Sequence, residues 1–137
     1  MESDVSNKGK AHRPVNVDPV DLMRFAWPVT AIASISHRIS GVILFVGVLF
    51  ALYALEQSLA DQASFESMKA AMLSPFGKLV TWGLLAALAY HVVAGIKHLM
   101  MDMEIADTLE GGRFAAKVTL LFGGILVVLA AIWVFPA

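Results

Sequence analysis

Three uninterrupted apolar segments constrain this chain more than any other feature of its sequence. They cover residues 28–55, 76–101 and 114–135, and each supplies the roughly 20 residues that a helix needs to cross a bilayer. Continuous apolar runs of this length favour helices, because the strands of a transmembrane barrel alternate apolar and polar side chains. The sequence therefore predicts an all-α membrane protein with three transmembrane helices.

Composition supports this prediction and excludes several classes of function. The chain is 58% hydrophobic and 15% charged, whereas soluble domains carry roughly a quarter charged residues. A net charge of -1 without a basic patch gives no support to a nucleic-acid partner. Because the chain has no cysteine, it forms no disulfide, ligates no iron–sulfur cluster through thiolates and attaches no c-type haem.

The domain organisation follows from the change in polarity near residue 28. Residues 1–27 form a polar arm without the short apolar core of a signal peptide, and residues 28–137 form one transmembrane anchor domain. Between the first two apolar segments, Phe65, Met68 and Met72 recur at helical spacing. This spacing predicts a short amphipathic helix along the outer membrane surface.

Positively charged residues in the flanking segments predict the orientation. The arm and the second connection hold most of them, namely Lys8, Lys10, Arg13, Arg24, Lys97, Arg113 and Lys117. The first connection holds only Lys69 and Lys78, and the C-terminal end holds none. The positive-inside rule then predicts an up-down-up bundle with a cytoplasmic N-terminus and a periplasmic C-terminus.

His91 is the first candidate functional residue, because it is an ionisable side chain inside an apolar run. A polar side chain at such a depth usually faces a cavity, a polar partner or a cofactor. Ala87, Ala94 and Gly95 lie one helical turn away and leave little side-chain bulk beside the imidazole. This patch suits a flat haem, and the alternative is a polar residue that packs two helices together.

The second candidate is a polar face at the start of the first apolar segment. Ser34, His37, Arg38 and Gly41 are spaced i, i+3, i+4 and i+7, so a helix places them on one face. A hydroxyl, an imidazole and a guanidinium suit a ligand with carbonyl or carboxylate oxygens, such as a quinone or a haem propionate. A polar helix-packing cluster, with Arg38 extended to the headgroups, remains the alternative.

Two segments of the chain resemble the signatures of a known family. Residues 28–41, PVTAIASISHRISG, together with Arg13 and Pro14, are similar to the first signature of succinate dehydrogenase cytochrome b556 subunits. Residues 91–102, HVVAGIKHLMMD, are similar to the second. The chain departs from the family pattern at Lys97, where arginine is usual, and at Glu104, where a small residue is common.

The resemblance implies a membrane anchor of complex II in a bacterial inner membrane. In that family the subunit pairs with a second small anchor, the pair holds one haem b, and a flavoprotein and an iron–sulfur subunit dock on the cytoplasmic face. Electrons from succinate pass through flavin and clusters to ubiquinone.

The resemblance also implies a role for individual residues. His91 would be an axial ligand of the haem iron. The other implied contacts are, for the quinone, Ser34, Ile35 and Arg38, and, for the haem, His37, Arg38 and Gly95. His98 is roughly 10 Å further along the helix than His91, so it cannot oppose His91 across one iron. We therefore expect the partner anchor to supply the second ligand, and we expect His98 to be interfacial or loop-facing.

Three other functions stay open from the sequence. The chain could anchor a related fumarate reductase, because the direction of electron flow depends on potentials that residues do not reveal. It could be a structural anchor without haem, although His91 among small residues argues against this. It could also be part of a small transporter, but its polar residues do not continue through the full depth of the bundle.

Overall fold

The computed structural model describes residues 26–136, and this part of the chain is all-helical. Its four helices are α1 (Val29–Ala60), α2 (Gln62–Leu73), α3 (Pro75–Asp102) and α4 (Leu109–Val134). The prediction of an all-α chain is confirmed for this part. Nearly all of the predicted N-terminal arm, residues 1–25, lies outside the described residues.

Three of these helices, α1, α3 and α4, are long and apolar enough to cross a membrane. All three are longer than the sequence predicts, α3 by only one residue at each end. α1 continues to Ala60 rather than residue 55, and α4 begins at Leu109 rather than residue 114. The early start of α4 has a local cause, because the Thr108 hydroxyl accepts a hydrogen bond from the Gly111 N–H at 3.0 Å.

The short helix α2 lies between α1 and α3 in sequence and contacts both of them. Its N-cap is Asp61, whose carboxylate accepts hydrogen bonds from the N–H of Ser64 at 2.8 Å and from the Ser64 hydroxyl at 3.2 Å. The backbone hydrogen bond most strongly, and then the one from the hydroxyl, hold the pKa of Asp61 below its ordinary value, so the carboxylate cap persists to lower pH than an ordinary aspartate would.

The predicted amphipathic helix coincides with α2. Met68 is half-buried, whereas Phe65 and Met72 are exposed on the same helix. The helix ends where Ser74 caps α3 by accepting a hydrogen bond from the Gly77 N–H at 3.0 Å. α2 is thus a distinct element with its own start and stop, as the periodicity indicates.

Small residues let the three long helices approach closely. Ala33 of α1, Ala94 of α3 and Ala116 of α4 are all almost completely buried. A Cβ atom at Gly123 of α4 would lie 2.7 Å from Cδ2 of Tyr90, so this position has no room for a side chain. Close packing of small residues replaces the hydrophobic effect as the main source of helix association in lipid.

Much of the apolar surface of the long helices faces outward. Phe45 on α1 is 74% exposed and Leu121 on α4 is 68% exposed. A soluble domain rarely leaves an apolar surface of this extent uncovered. The chain therefore needs lipid or other membrane helices around it.

Candidate functional site

His91 lies in the interior of α3, where that helix crosses α1. It is 11 residues before the end of α3 at Asp102, which corresponds to about 16 Å along the helix axis. Gly41 of α1 faces its ring, because a Cβ atom there would lie 3.1 Å from Cε1 of His91. The missing side chain at position 41 thus makes room for the imidazole.

One nitrogen of the His91 ring is held by two groups of α1. Nδ1 lies 3.0 Å from the Ser40 hydroxyl oxygen and 3.2 Å from the backbone carbonyl oxygen of His37. The Ser40 hydroxyl itself donates to the same carbonyl at 2.7 Å. Because a carbonyl oxygen can only accept, this arrangement favours the tautomer in which Nδ1 carries the proton.

This tautomer leaves Nε2 of His91 as the nitrogen with a free lone pair. Within residues 26–136, Nε2 accepts no hydrogen bond from the protein. A histidine that ligates a metal commonly donates its other ring N–H to a carbonyl or carboxylate, which fixes the ring and raises its basicity. His91 has the hydrogen bonding expected of a metal ligand.

Three imidazoles form a column between α1 and α3. The His37 ring stacks on His91 with centroids 4.1 Å apart and planes at 20°, and it lies 5.1 Å from the ring of His98 at 37°. Ring nitrogens bind metals in the plane of the ring, so stacked rings do not converge on one ion. In agreement, the described residues contain no group of three ligands that could hold a metal ion.

His37 contributes an unsatisfied polar atom to this column. Its Nε2 is buried and has no hydrogen-bond partner among residues 26–136. Gly95 of α3 lies beside it, since a Cβ atom at Gly95 would be 3.7 Å from this nitrogen. Buried polar groups without partners are rare, so the atom is suited to a polar group from a ligand or another chain.

Ser34, Ile35 and Arg38 lie on α1, within about one turn of His37. Ser34 is half-buried, and Arg38 and Ile35 are exposed. The members of the predicted polar face differ in burial, because Nε2 of His37 is buried beside Gly95 of α3 whereas Arg38 is exposed. A ligand at Arg38 would lie on the surface of this chain and would not be enclosed by it.

Sequence reasoning missed two members of the site. The Ser40 hydroxyl lies within hydrogen-bond distance of Nδ1 of His91, a contact that the sequence analysis does not predict although Ser40 follows His37 by one helical turn. His98 is expected at the interface or facing the loop, and its ring lies 5.1 Å from that of His37, a contact that the sequence does not predict. The seven-residue spacing from His91 to His98 was the available signal, because residues i and i+7 share a helix face.

Tyr90 and Trp82 connect the site to the rest of the bundle. The Tyr90 hydroxyl donates to the carbonyl of Ala33 on α1 at 3.0 Å, and the Trp82 indole N–H donates to the carbonyl of Val127 on α4 at 3.2 Å. Hydrogen bonds between helices are among the forces that fix their relative position in lipid. The two bonds link α3 to both neighbours.

Comparison with known proteins gives a match along almost the whole chain. Residues 12–132 match the family model for the succinate dehydrogenase/fumarate reductase transmembrane subunit. The succinate dehydrogenase cytochrome b556 subunit of Coxiella burnetii (strain RSA 493 / Nine Mile phase I) is 37% identical over 126 residues, which cover 91% of this chain and 98% of the relative. The subunit of the same name from Paracoccus denitrificans is 25% identical over 131 residues, which cover 96% and 98%.

Proposed function

Because this chain belongs to the succinate dehydrogenase/fumarate reductase transmembrane subunit family, we propose that it is the membrane anchor of a succinate:quinone oxidoreductase. It pairs with a second small anchor subunit, and the pair carries a flavoprotein and an iron–sulfur subunit. In this proposal those partners oxidise succinate. The chain then contributes to the site where ubiquinone takes up two electrons and two protons.

In this proposal His91 would bind the iron of haem b through Nε2. The observation that carries the assignment is the hydrogen bonding of Nδ1 to Ser40 and to the His37 carbonyl, which leaves Nε2 free to bind iron. A haem iron with two imidazole ligands supplies one-electron transfer rather than oxygen binding. The rings of His37 and His98 lie in the same column as that of His91 and do not converge with it on one ion, so a second imidazole would come from the partner anchor.

The periphery of the haem would be held by His37, Arg38 and Gly95. Supporting this, Nε2 of His37 is buried without a partner and can donate to a propionate carboxylate. Arg38 adds a fixed positive charge on the same helix, and Gly95 presents no side chain that would obstruct the ring. The residues present therefore fit the cofactor that the family implies.

For the quinone we propose Ser34, Ile35 and Arg38. The Ser34 hydroxyl can donate to a quinone carbonyl, while the Arg38 guanidinium stabilises negative charge that develops on the quinone oxygens during reduction. Ile35 gives an apolar contact for the ring, and its 43% exposure leaves it accessible from outside the chain. Because Ile35 and Arg38 are exposed, partner subunits can complete the pocket around them.

The succinate-oxidising assignment is favoured over a fumarate reductase anchor by the names of the relatives. Both named relatives are succinate dehydrogenase subunits. To test the function, the tagged chain is purified in detergent from its native membrane with its associated proteins. We expect a b-type band in the reduced-minus-oxidised spectrum, together with a flavoprotein, an iron–sulfur protein and a second small anchor in the mass spectrum. A preparation with neither haem nor these proteins contradicts the proposal.

We expect Ser40→Ala to weaken haem binding without abolishing it. The substitution removes one of two acceptors of the His91 Nδ1 proton, and loss of such a partner typically lowers cofactor affinity by about tenfold or more. Ser58→Ala is the matched control, because Ser58 also lies on α1 and bonds only a local carbonyl, that of Ala54. Haem per complex is measured by absorbance after serial dilution, and equal retention in both variants rules out a role for Ser40.

The topology proposed is an up-down-up bundle across a bacterial inner membrane, with the N-terminus in the cytoplasm. The contacts between α1 and α3 support opposite chain directions for these two helices. Gly41 of α1 contacts His91 of α3, whereas Gly47, which comes later in α1, contacts Leu84, which comes earlier in α3. The excess of basic residues in the arm and second connection supports the orientation, and α2 then lies on the periplasmic surface. A periplasm-dependent reporter fused after Ala137 should be active; activity of a cytoplasm-dependent reporter there contradicts this orientation.

A further inference from the structure

Tyr90 of α3 is a half-buried polar side chain to which the proposed electron-transfer site gives no role. Its ring lies against α4, because a Cβ atom at Gly123 would be 2.7 Å from Cδ2 and 3.3 Å from Cε2 of Tyr90. Its hydroxyl reaches α1 and donates a hydrogen bond to the carbonyl oxygen of Ala33 at 3.0 Å. One side chain thus contacts both of the other long helices.

The hydroxyl of Tyr90 is not needed to fill space at this position. A phenylalanine would occupy almost the same volume between α1 and α4, and a phenol in an apolar setting is unfavourable unless it forms a hydrogen bond. Its acceptor is enclosed, because Ala33 is only 1% exposed and its carbonyl has little access to solvent. The bond therefore does more than packing requires, since it holds the α1 backbone at one point.

Ala33 lies in the part of α1 that carries the proposed quinone contacts. Its carbonyl belongs to the planar peptide unit that continues to the nitrogen of Ser34, so a bond to this oxygen fixes the backbone from which the Ser34 side chain extends. In an α-helix the same carbonyl accepts the N–H of His37, four residues further on. Within the described residues Pro28 begins α1 without a side-chain cap, so contacts from other helices hold this first part of α1 in place.

We propose that Tyr90 is a positioning residue for quinone reduction, which orients the Ser34 hydroxyl by holding the Ala33 carbonyl. The inference rests on the proposed function, because it gives Tyr90 a role at the proposed quinone contact. Gly123 completes the arrangement, since the absence of a side chain there lets the Tyr90 ring lie against the backbone of α4. Tyr90 acts through the α1 backbone and not by contact with the quinone.

The test compares quinone reduction by complexes isolated through this chain that carry Tyr90→Phe, Ser34→Ala or both substitutions. Tyr90→Phe keeps the ring and removes only the donor, so we expect kcat/KM for decylubiquinone to fall about two- to tenfold, as for the loss of one neutral hydrogen bond. Because Tyr90 acts through Ser34, its substitution should add almost nothing in the Ser34→Ala background. Tyr53→Phe is the matched control, since Tyr53 is the other tyrosine of the chain and is 56% exposed on α1.

A second measurement reports on α1 without using activity. Hydrogen exchange of the peptides that cover residues 29–37 is followed by mass spectrometry in the complete complex. We expect exchange to be faster in Tyr90→Phe than in the wild type by about the same two- to tenfold factor, because one bond that holds this segment is lost. Tyr53→Phe should leave the exchange of these peptides at the wild-type rate.

The double substitution separates positioning from a general structural role. If Tyr90→Phe lowers kcat/KM by the same factor with and without the Ser34 hydroxyl, Tyr90 does not act through Ser34 and the proposal is wrong. Unchanged kcat/KM or unchanged exchange in Tyr90→Phe, or equal effects in Tyr53→Phe, also overturn it while the proposed function stands. If Ser34→Ala leaves quinone reduction unchanged, the quinone assignment fails, and the role of Tyr90 fails with it.

Discussion

Replacing His91 with leucine is expected to abolish or shift the low-spin haem spectrum of the complex. Leucine cannot bind iron, and it also gives up the contact of Nδ1 with Ser40 and the His37 carbonyl. Since loss of a single supporting hydrogen bond weakens cofactor binding by about tenfold to a hundredfold, loss of the ligand itself should exceed the upper figure. The measurement is the reduced-minus-oxidised spectrum with haem quantified per complex.

His98→Leu provides the matched control for this experiment. His98 lies on the same face of α3, in the same column of imidazoles, but its nearest described ring is that of His37 rather than His91. We expect this variant to keep the low-spin band, because the proposed ligand is intact. An unchanged spectrum in His91→Leu, or a band lost only in His98→Leu, would assign the ligand elsewhere.

The second large effect is expected from Ser34→Ala and Arg38→Leu. In the proposed assignment each removes a group that stabilises the quinone oxygens during reduction, and removal of one such donor typically lowers the rate by about a hundredfold or more. Succinate oxidation with an artificial electron acceptor should continue, because that reaction needs only the soluble partners. The rate of quinone reduction and the rate of succinate oxidation with the artificial acceptor are measured on the same preparation. A lowered ratio of the first rate to the second identifies a quinone site.

Controls for these variants come from the same chain. Ser58→Ala removes a hydroxyl near the other end of α1, and Arg113→Leu removes an exposed cation at the start of α4. Both should leave the ratio of the two rates at the wild-type value. Parallel loss of both rates in the Ser34 and Arg38 variants would indicate failed assembly and would contradict a specific quinone contact.

The three long helices were predictable because their apolar segments are continuous. The ends of these helices were less predictable, since residues beyond the bilayer carry no strong hydropathy signal. The early start at Leu109 depends on the Thr108 cap, and the continuation of α1 to Ala60 passes Glu56, which a purely apolar criterion rejects. Periodicity located α2, because its apolar residues recur at helical spacing.

The sequence identifies individual candidate residues, but it does not predict their contacts. His91 and Gly95 were singled out by an ionisable group among small neighbours, and His37 by its place on a polar face. The bond between Ser40 and His91 joins residues 51 positions apart, so it depends on the register at which α1 crosses α3. That register is set by close packing at Gly41, which spacing within one helix does not reveal.

α1 carries both the proposed quinone contacts, Ser34 and Arg38, and the two groups that hold Nδ1 of His91. In the proposed assignment, a bound quinone that displaced α1 would alter these hydrogen bonds, and with them the electron affinity of an iron held by His91. Thermodynamic linkage makes such an effect reciprocal, so the oxidation state of the iron would change the affinity for quinone by the same factor. The helix would then act as a mechanical connection between two redox centres that need not touch.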